Sequence, residues 1–258
     1  MTLLLKAATI IDPTRTDLHG KKRDILIENG VIAKIASRIK PPKGTREIQR
    51  RNLHVSKGWF DSGVCFGEPG YEQRETLSNG LKVAAASGFT AVILNPNTLP
   101  VPDTSGDISF FKQQAKNAIC SLFPLGTLSL GSKGEDLAEL FDMQGAGAVG
   151  FSDFKTPLEN PNLLKLALLY SQNFQGLIYS FPLDTQLARG GQVNESPVSV
   201  RLGLRGIPNL SEQLRVSRDL EILSYTGGRL HIPTISTAEA VSLISKAKKK
   251  GLDVTCSV

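Results

Sequence analysis

From Gly58 onward the chain alternates short apolar segments with longer helical ones, and no other feature restricts its fold so strongly. The apolar segments are Trp59 to Phe66, Phe89 to Leu94, Ile119 to Leu125, Ala148 to Ser152, Leu177 to Phe181, Arg229 to Ile235 and Leu252 to Val258. Helices are predicted between them at Tyr71 to Ser87, Ile108 to Asn117, Glu135 to Met143, Pro161 to Gln172, Ser211 to Tyr225 and Ala238 to Lys250. Strands alternating with helices of this length specify parallel βαβ units. Seven strands with no helix after the last do not close an eight-stranded barrel, in which each strand has two neighbours. The chain is therefore expected to continue by at least a strand and helix, or to have a partner cover its open edge.

The first fifty residues have a different rhythm. Leu3 to Ile11 is a β-rich run stopped by Asp12-Pro13, and Asp24 to Glu28 is joined to Val31 to Ile35 by Asn29-Gly30. Asn-Gly between two apolar runs predicts a hairpin, because both turn positions need positive φ. The basic, Pro-rich stretch Lys40 to Gly44 is then a surface connection, and Ile48 to Val55 leads out of it.

Hydrophobic residues make up 40% of the chain, enough to bury one large core. A net charge of +6 would suit an anionic partner, but the lysines and arginines are scattered and form no stripe interleaved with aromatics, so no nucleic-acid binding is expected. No apolar run approaches the roughly 20 residues of a membrane span, and the N-terminus lacks the features of a secretion signal. Three widely spaced cysteines, Cys65, Cys120 and Cys256, argue against a disulfide framework. A cytoplasmic location follows as the expectation. Neither a phosphate-binding Walker loop nor a Gly-x-Ser-x-Gly elbow is present. The run Lys246 to Lys250 ends a predicted helix and reads as a solvated face.

The segment Val55 to Gly70, VSKGWFDSGVCFGEPG, resembles the first barrel strand of the dihydroorotase and hydantoinase branch of the amidohydrolase superfamily, Pro-Gly-Phe-Ile-Asp-x-His-x-His-x-Arg-Glu-Pro-Gly. Four more blocks agree in order: Ala84 to Val92 leading to Asn95-Pro-Asn-Thr-Leu-Pro100, Gly145 to Asp153, Asn194 to Pro208, and Arg229 to Ala238. Together they resemble dihydroorotases of the type associated with aspartate transcarbamoylase. The resemblance implies an α/β fold, a (β/α)8 TIM barrel that is incomplete in this chain, with a small N-terminal β-sandwich-like domain. Residues 1–54 would be half of a composite sandwich, and residues 55–258 would carry barrel strands 1 to 7.

It also implies a zinc mechanism, in which metal at the strand C-termini activates water. The residues do not support one. The positions of the His-x-His pair are Gly63 and Cys65, those of two further histidine ligands are Phe181 and Thr234, and the substrate-gripping arginine is Gly67. Asp153 and Asn97 survive at a metal-side and a substrate-carboxylate position, although a turn-capping Asp and a loop-shaping Asn explain them equally well. Asp61 is retained, and Cys65 with Asp153 would suit no common catalytic geometry. His19, His54 and His231 occupy none of these positions; strand alternation would put His231 and Thr234 on opposite faces, with His231 packed between sheet and helix.

The expected protein is thus a dihydroorotase-like subunit of pyrimidine biosynthesis that holds no cofactor and does not catalyse. It would assemble with aspartate transcarbamoylase, with itself, or both. The alternatives are an active zinc-dependent cyclic amidohydrolase with an atypical metal site, and a ligand sensor that binds a ureide or carboxylate without reacting.

Overall fold

The computed structural model of the protein describes residues 2–258. Asn29 and Gly30 take φ of 51° and 80°, the left-handed pair a two-residue hairpin requires. They fold β2 (Lys22–Glu28) back onto β3 (Val31–Ala36). β1 (Thr2–Ile11) runs antiparallel to β2 and parallel to both β4 (Arg46–Ile48) and β5 (His54–Ser56), giving one five-stranded sheet. Its residues feed two buried clusters, one of Leu4, Leu26 and Ile39 and one of Ala8, Ile10 and Ile25. Asp24 is buried there too, and its carboxylate accepts the N–H groups of Ala7 and Ile39, both at 2.9 Å, so an irregularity in β1 is held without an orphaned donor. The chain divides into two compact units between Trp59 and Phe60, five residues beyond the expected boundary, because β5 pairs with β1 and stays with the first unit.

The second unit is built from β6 (Trp59–Val64), β7 (Phe89–Leu94), β8 (Ser121–Pro124), β9 (Leu177–Tyr179), β10 (Val193–Asn194), β11 (Gly206–Ile207), β12 (Arg229–Ile232) and β13 (Val254–Cys256). β6, β7 and β8 are neighbours in that order, and β9, β12 and β13 form a second parallel set. Phe151 joins the two sets through parallel bridges to Gly126 and Ile178. The predicted strand at Ala148 to Ser152 shrinks to this one bridging residue, since the backbone turns away at Phe154, where φ is 55°. The result is a continuous (β/α) arc in the predicted order. Phe151 is fully buried among Leu128, Leu164, Ile178 and Leu230, and a buried side chain of that size contributes roughly 1.5–3 kcal/mol by transfer from water.

The helices are α1 (Leu77–Ala86), α2 (Ser105–Gln114), α3 (Leu140–Ala146), α4 (Pro161–Ser171), α5 (Pro197–Arg201), α6 (Asn209–Thr226) and α7 (Ala238–Lys249). Three of them start three or more residues away from their predicted positions, for local reasons. α1 starts six residues later than Tyr71 because the Thr76 hydroxyl accepts the Asn79 N–H, and residues 71–76 are spent in turns. α2 starts three residues early because Thr104 and Asp107 form a reciprocal capping box. α3 begins at Leu140 and not at Glu135, since Leu137 bridges Ser129. No helix among the described residues is long and apolar enough to cross a membrane.

Candidate functional site

At the C-terminal ends of the barrel strands lies a cavity of about 170 Å³, the end at which barrels of this architecture place their chemistry. β6 contributes Asp61, Ser62 and Gly63, the end of β7 contributes Asn95, and the turn after Phe151 contributes Ser152, Phe154 and Lys155. Tyr179 and Phe181 follow from β9, His231, Pro233 and Thr234 from β12, and Ser257 and Val258 from β13. Three of the four replaced ligand positions, Gly63, Phe181 and Thr234, therefore meet at one mouth, together with Asp61 and His231.

On the β6 side, Gly63 donates its N–H to Asp61 Oδ1 at 3.0 Å. A Cβ at this position would lie 3.3 Å from the Asn95 amide nitrogen, so a side chain fits only if Asn95 gives way. The Asn95 amide in turn donates to Cys65 Sγ at 3.6 Å, which leaves Cys65 exposed beside the cavity and not lining it. Gly67 is more constrained. A Cβ there would come 2.0 Å from the Tyr71 carbonyl oxygen, because Tyr71 N–H donates to Gly67 O at 2.7 Å and Gly67 N–H to Glu75 O at 2.9 Å. The arginine position of the resembling family is thus occupied by backbone, and no L side chain enters without rebuilding the turn.

On the β12 side the expectation for His231 is corrected. His231 and Thr234 line the same cavity instead of opposite faces, because β12 ends at Ile232 and Thr234 takes φ of 51°, so alternation does not carry through. The imidazole also faces the barrel interior and not a helix. Nδ1 lies 2.8 Å from the Thr255 hydroxyl, Nε2 lies 3.3 Å from the Ser257 hydroxyl, and the ring is 4.6 Å from that of Tyr179. Burial pulls its pKa down to about 4, so it is neutral at physiological pH, with both nitrogens engaged. Burial likewise pushes the Tyr179 phenol upward. Thr234 and Phe154 are non-glycine residues in the left-handed region, and such strain concentrates at functional sites.

Asp153 turns away from the mouth. Its Oδ1 accepts the N–H groups of Leu128 and Ser129 at 2.9 and 3.0 Å, and the Ser129 hydroxyl donates to Oδ2 at 2.5 Å. Burial pushes its carboxyl above the usual range, against these hydrogen bonds, which favour the charged form. Asn97 does not line the cavity either, and its amide oxygen is buried without a hydrogen-bond partner. Lys155, Tyr179 and Ser257 were not legible as site residues, since none belongs to a motif; only the register of β9 and β13 brings the last two in.

A zinc centre needs several imidazole or carboxylate donors converging within about 2.0–2.3 Å of one point. Among the described residues no three His, Cys, Asp or Glu side chains come together in that way. The one imidazole at the mouth is committed to two hydroxyls, and the carboxylate beyond Phe151 to a loop. The donor set does not fit the metal.

An α/β barrel architecture with a cavity at the strand C-termini defines the class, and solved architectures agree. L-hydantoinase (dihydropyrimidinase) from Arthrobacter aurescens superposes with a TM-score of 0.75 at 20% identity, over 98% of this chain and 57% of that one. A D-hydantoinase (dihydropyrimidinase) from Thermus sp. gives 0.71 at 21% identity, over 98% of this chain and 57% of that one. The Dihydro-orotase-like family profile matches residues 55–240. In sequence the chain is 40% identical to a dihydroorotase of Pelotomaculum thermopropionicum over 258 residues, and 39% identical to one of Syntrophus aciditrophicus over 257. It spans 60% of the length of each of these relatives. The chain belongs to the dihydroorotase-like family.

Proposed function

We propose that this chain is a dihydroorotase-like subunit of de novo pyrimidine biosynthesis that does not hydrolyse dihydroorotate and serves in assembly, with aspartate transcarbamoylase as its partner. One observation carries the reading. The four positions at which the resembling family holds metal supply a single exposed thiol between them, and the position of its substrate-binding arginine is filled by the Tyr71 carbonyl. Zinc-activated water needs an ion held by several ligands, and these residues would not hold one. The (β/α) arc around the site is retained, which supports a role for the fold apart from its chemistry.

A second reading, a sensor that binds a ureide or carboxylate, is favoured by the persistence of a cavity whose lining includes Lys155, Asn95 and Ser257. The remaining alternative, an active hydrolase with an atypical metal site, would need donors beyond those at the mouth. Mixing the protein with the aspartate transcarbamoylase of the same organism, followed by size-exclusion chromatography with light scattering, tests assembly. A stable co-eluting complex and no dihydroorotate turnover are expected. No shift on mixing, or turnover that follows bound zinc, would remove the assembly reading. Calorimetry with dihydroorotate and carbamoyl aspartate separates the sensor from both.

A further inference from the structure

The cavity at the barrel mouth keeps free acceptors and free donors on different elements. Acceptors stand at the ends of β6 and β7. Asp61 Oδ1 takes the Gly63 N–H at 3.0 Å, and Oδ2 has no donor among the described residues. The Asn95 amide nitrogen is committed to Cys65 Sγ, which leaves its oxygen to accept. Donors stand on the turn after Phe151. The buried Ser152 hydroxyl accepts the Phe154 N–H at 3.0 Å and keeps its own O–H to give. Beside it is the Lys155 ammonium, 5.5 Å from the centre of the Phe154 ring, which lines the same cavity.

With His231 neutral, Asp61 and Lys155 are the two charged side chains in the lining. Neither belongs to an ion pair among the described residues, so they do not satisfy each other. β7 and β8 lie between them along the arc, three strand spacings of about 4.8 Å each, and the two charges therefore approach the cavity from separate sides. A plain carboxylate would meet Lys155 but bring a second anion into a space that already holds Asp61, and a plain amine would do the reverse with Lys155. Either would desolvate one lining charge without pairing it. A ligand with both charges at opposite ends pairs each. Between the poles the rings of Phe154, Tyr179 and Phe181 form apolar wall, suited to a short methylene chain. The volume of about 170 Å³ sets the length, since a cavity of about 150 Å³ holds a ligand of about six heavy atoms.

We infer that the mouth cavity takes a short ω-amino acid, its carboxylate toward Lys155 and Ser152 and its ammonium toward Asp61 and Asn95. The inference rests on the sensor reading above and names the ligand class of that site, a zwitterion in place of a net anion.

Calorimetry on the full chain with 4-aminobutyrate as the probe tests it, against butyrate, butylamine and glycine, which lack one charge or hold the two side by side. 4-Aminobutyrate is expected to bind at least tenfold more tightly than any of the three, and more tightly than dihydroorotate or carbamoyl aspartate. K155Q should weaken 4-aminobutyrate binding at least tenfold. D61N, which keeps an acceptor for the Gly63 N–H, should lose the preference over butyrate, a change of selectivity that a purely structural role for Asp61 would not produce. K249Q, on α7, should bind as the unaltered chain does, and circular dichroism confirms that each variant is folded. Butyrate, dihydroorotate or carbamoyl aspartate binding as tightly as 4-aminobutyrate would overturn the zwitterion assignment while leaving the sensor reading in place. So would binding of 4-aminobutyrate that K155Q and D61N leave unchanged. Binding of none of these compounds would remove the sensor reading and this inference with it.

Discussion

The two sides of the barrel mouth depart from the family pattern in different ways. On the β6 side Gly67 is sealed by main chain, a carbonyl oxygen standing where any Cβ would go. On the β12 side Phe181 and Thr234 face a cavity that remains open. An imidazole or guanidinium can be lost either by substitution within an unchanged pocket or by collapse of backbone into the space it filled. Only the first kind of loss is reversible by restoring the side chain.

The largest effect expected from that contrast is at Gly67. G67A and G67R are predicted to lose about 3 kcal/mol of stability in denaturant unfolding, as backbone cannot yield like a flexible side chain. A neutral G67R would mean that the turn opens freely and that the two sides are alike. D153A should cost about 2–3 kcal/mol by leaving the Leu128 and Ser129 N–H groups buried and unpaired. If D153A were neutral in stability, the carboxylate would not be serving the loop.

His231 sets the expected response to acid. Its folded pKa of about 4 lies below the ordinary value of 6.5, so the unfolded chain binds more protons between those limits and stability rises with pH across that window. Lowering pH from 7 to 5 should therefore remove about 2 kcal/mol through this residue, since one proton taken up only by the unfolded chain is worth about 1.4 kcal/mol for every pH unit crossed. H231Q should lose that slope, and an unchanged slope in the variant would show that other groups carry it. The smallest effect concerns Thr234, where a β-branched residue sits at φ of 51°. Asn and His tolerate that region better, so T234N should gain about 1 kcal/mol and T234H should be tolerated. Loss of stability in T234N would indicate that the threonine side chain is needed where it stands.

Most of the framework was legible because its signals are local. Asn29-Gly30 dictates the hairpin through φ alone, and the alternating segments from Trp59 to Val258 mark the strands in their observed order. Helix starts were displaced where a cap decides them, as at Thr76 and Thr104, and the strand at Ala148 to Ser152 dwindled to Phe151. At the site, the identities at Gly63, Cys65, Gly67, Phe181 and Thr234 could be read directly. What could not be read was which neighbours occupy the space: the Tyr71 carbonyl at Gly67, the two hydroxyls on His231, and the turn of Asp153 toward Ser129. Those depend on register between distant strands and on a positive φ at Thr234, neither of which a motif encodes.

Zinc uptake tests the central claim most directly. Elemental analysis and calorimetric titration of the purified, folded protein should find no saturable zinc site at the barrel mouth, and F181H/T234H should acquire binding that the unaltered chain lacks. One tightly held zinc per unaltered chain, released when Cys65 or Asp153 is replaced, would contradict the account.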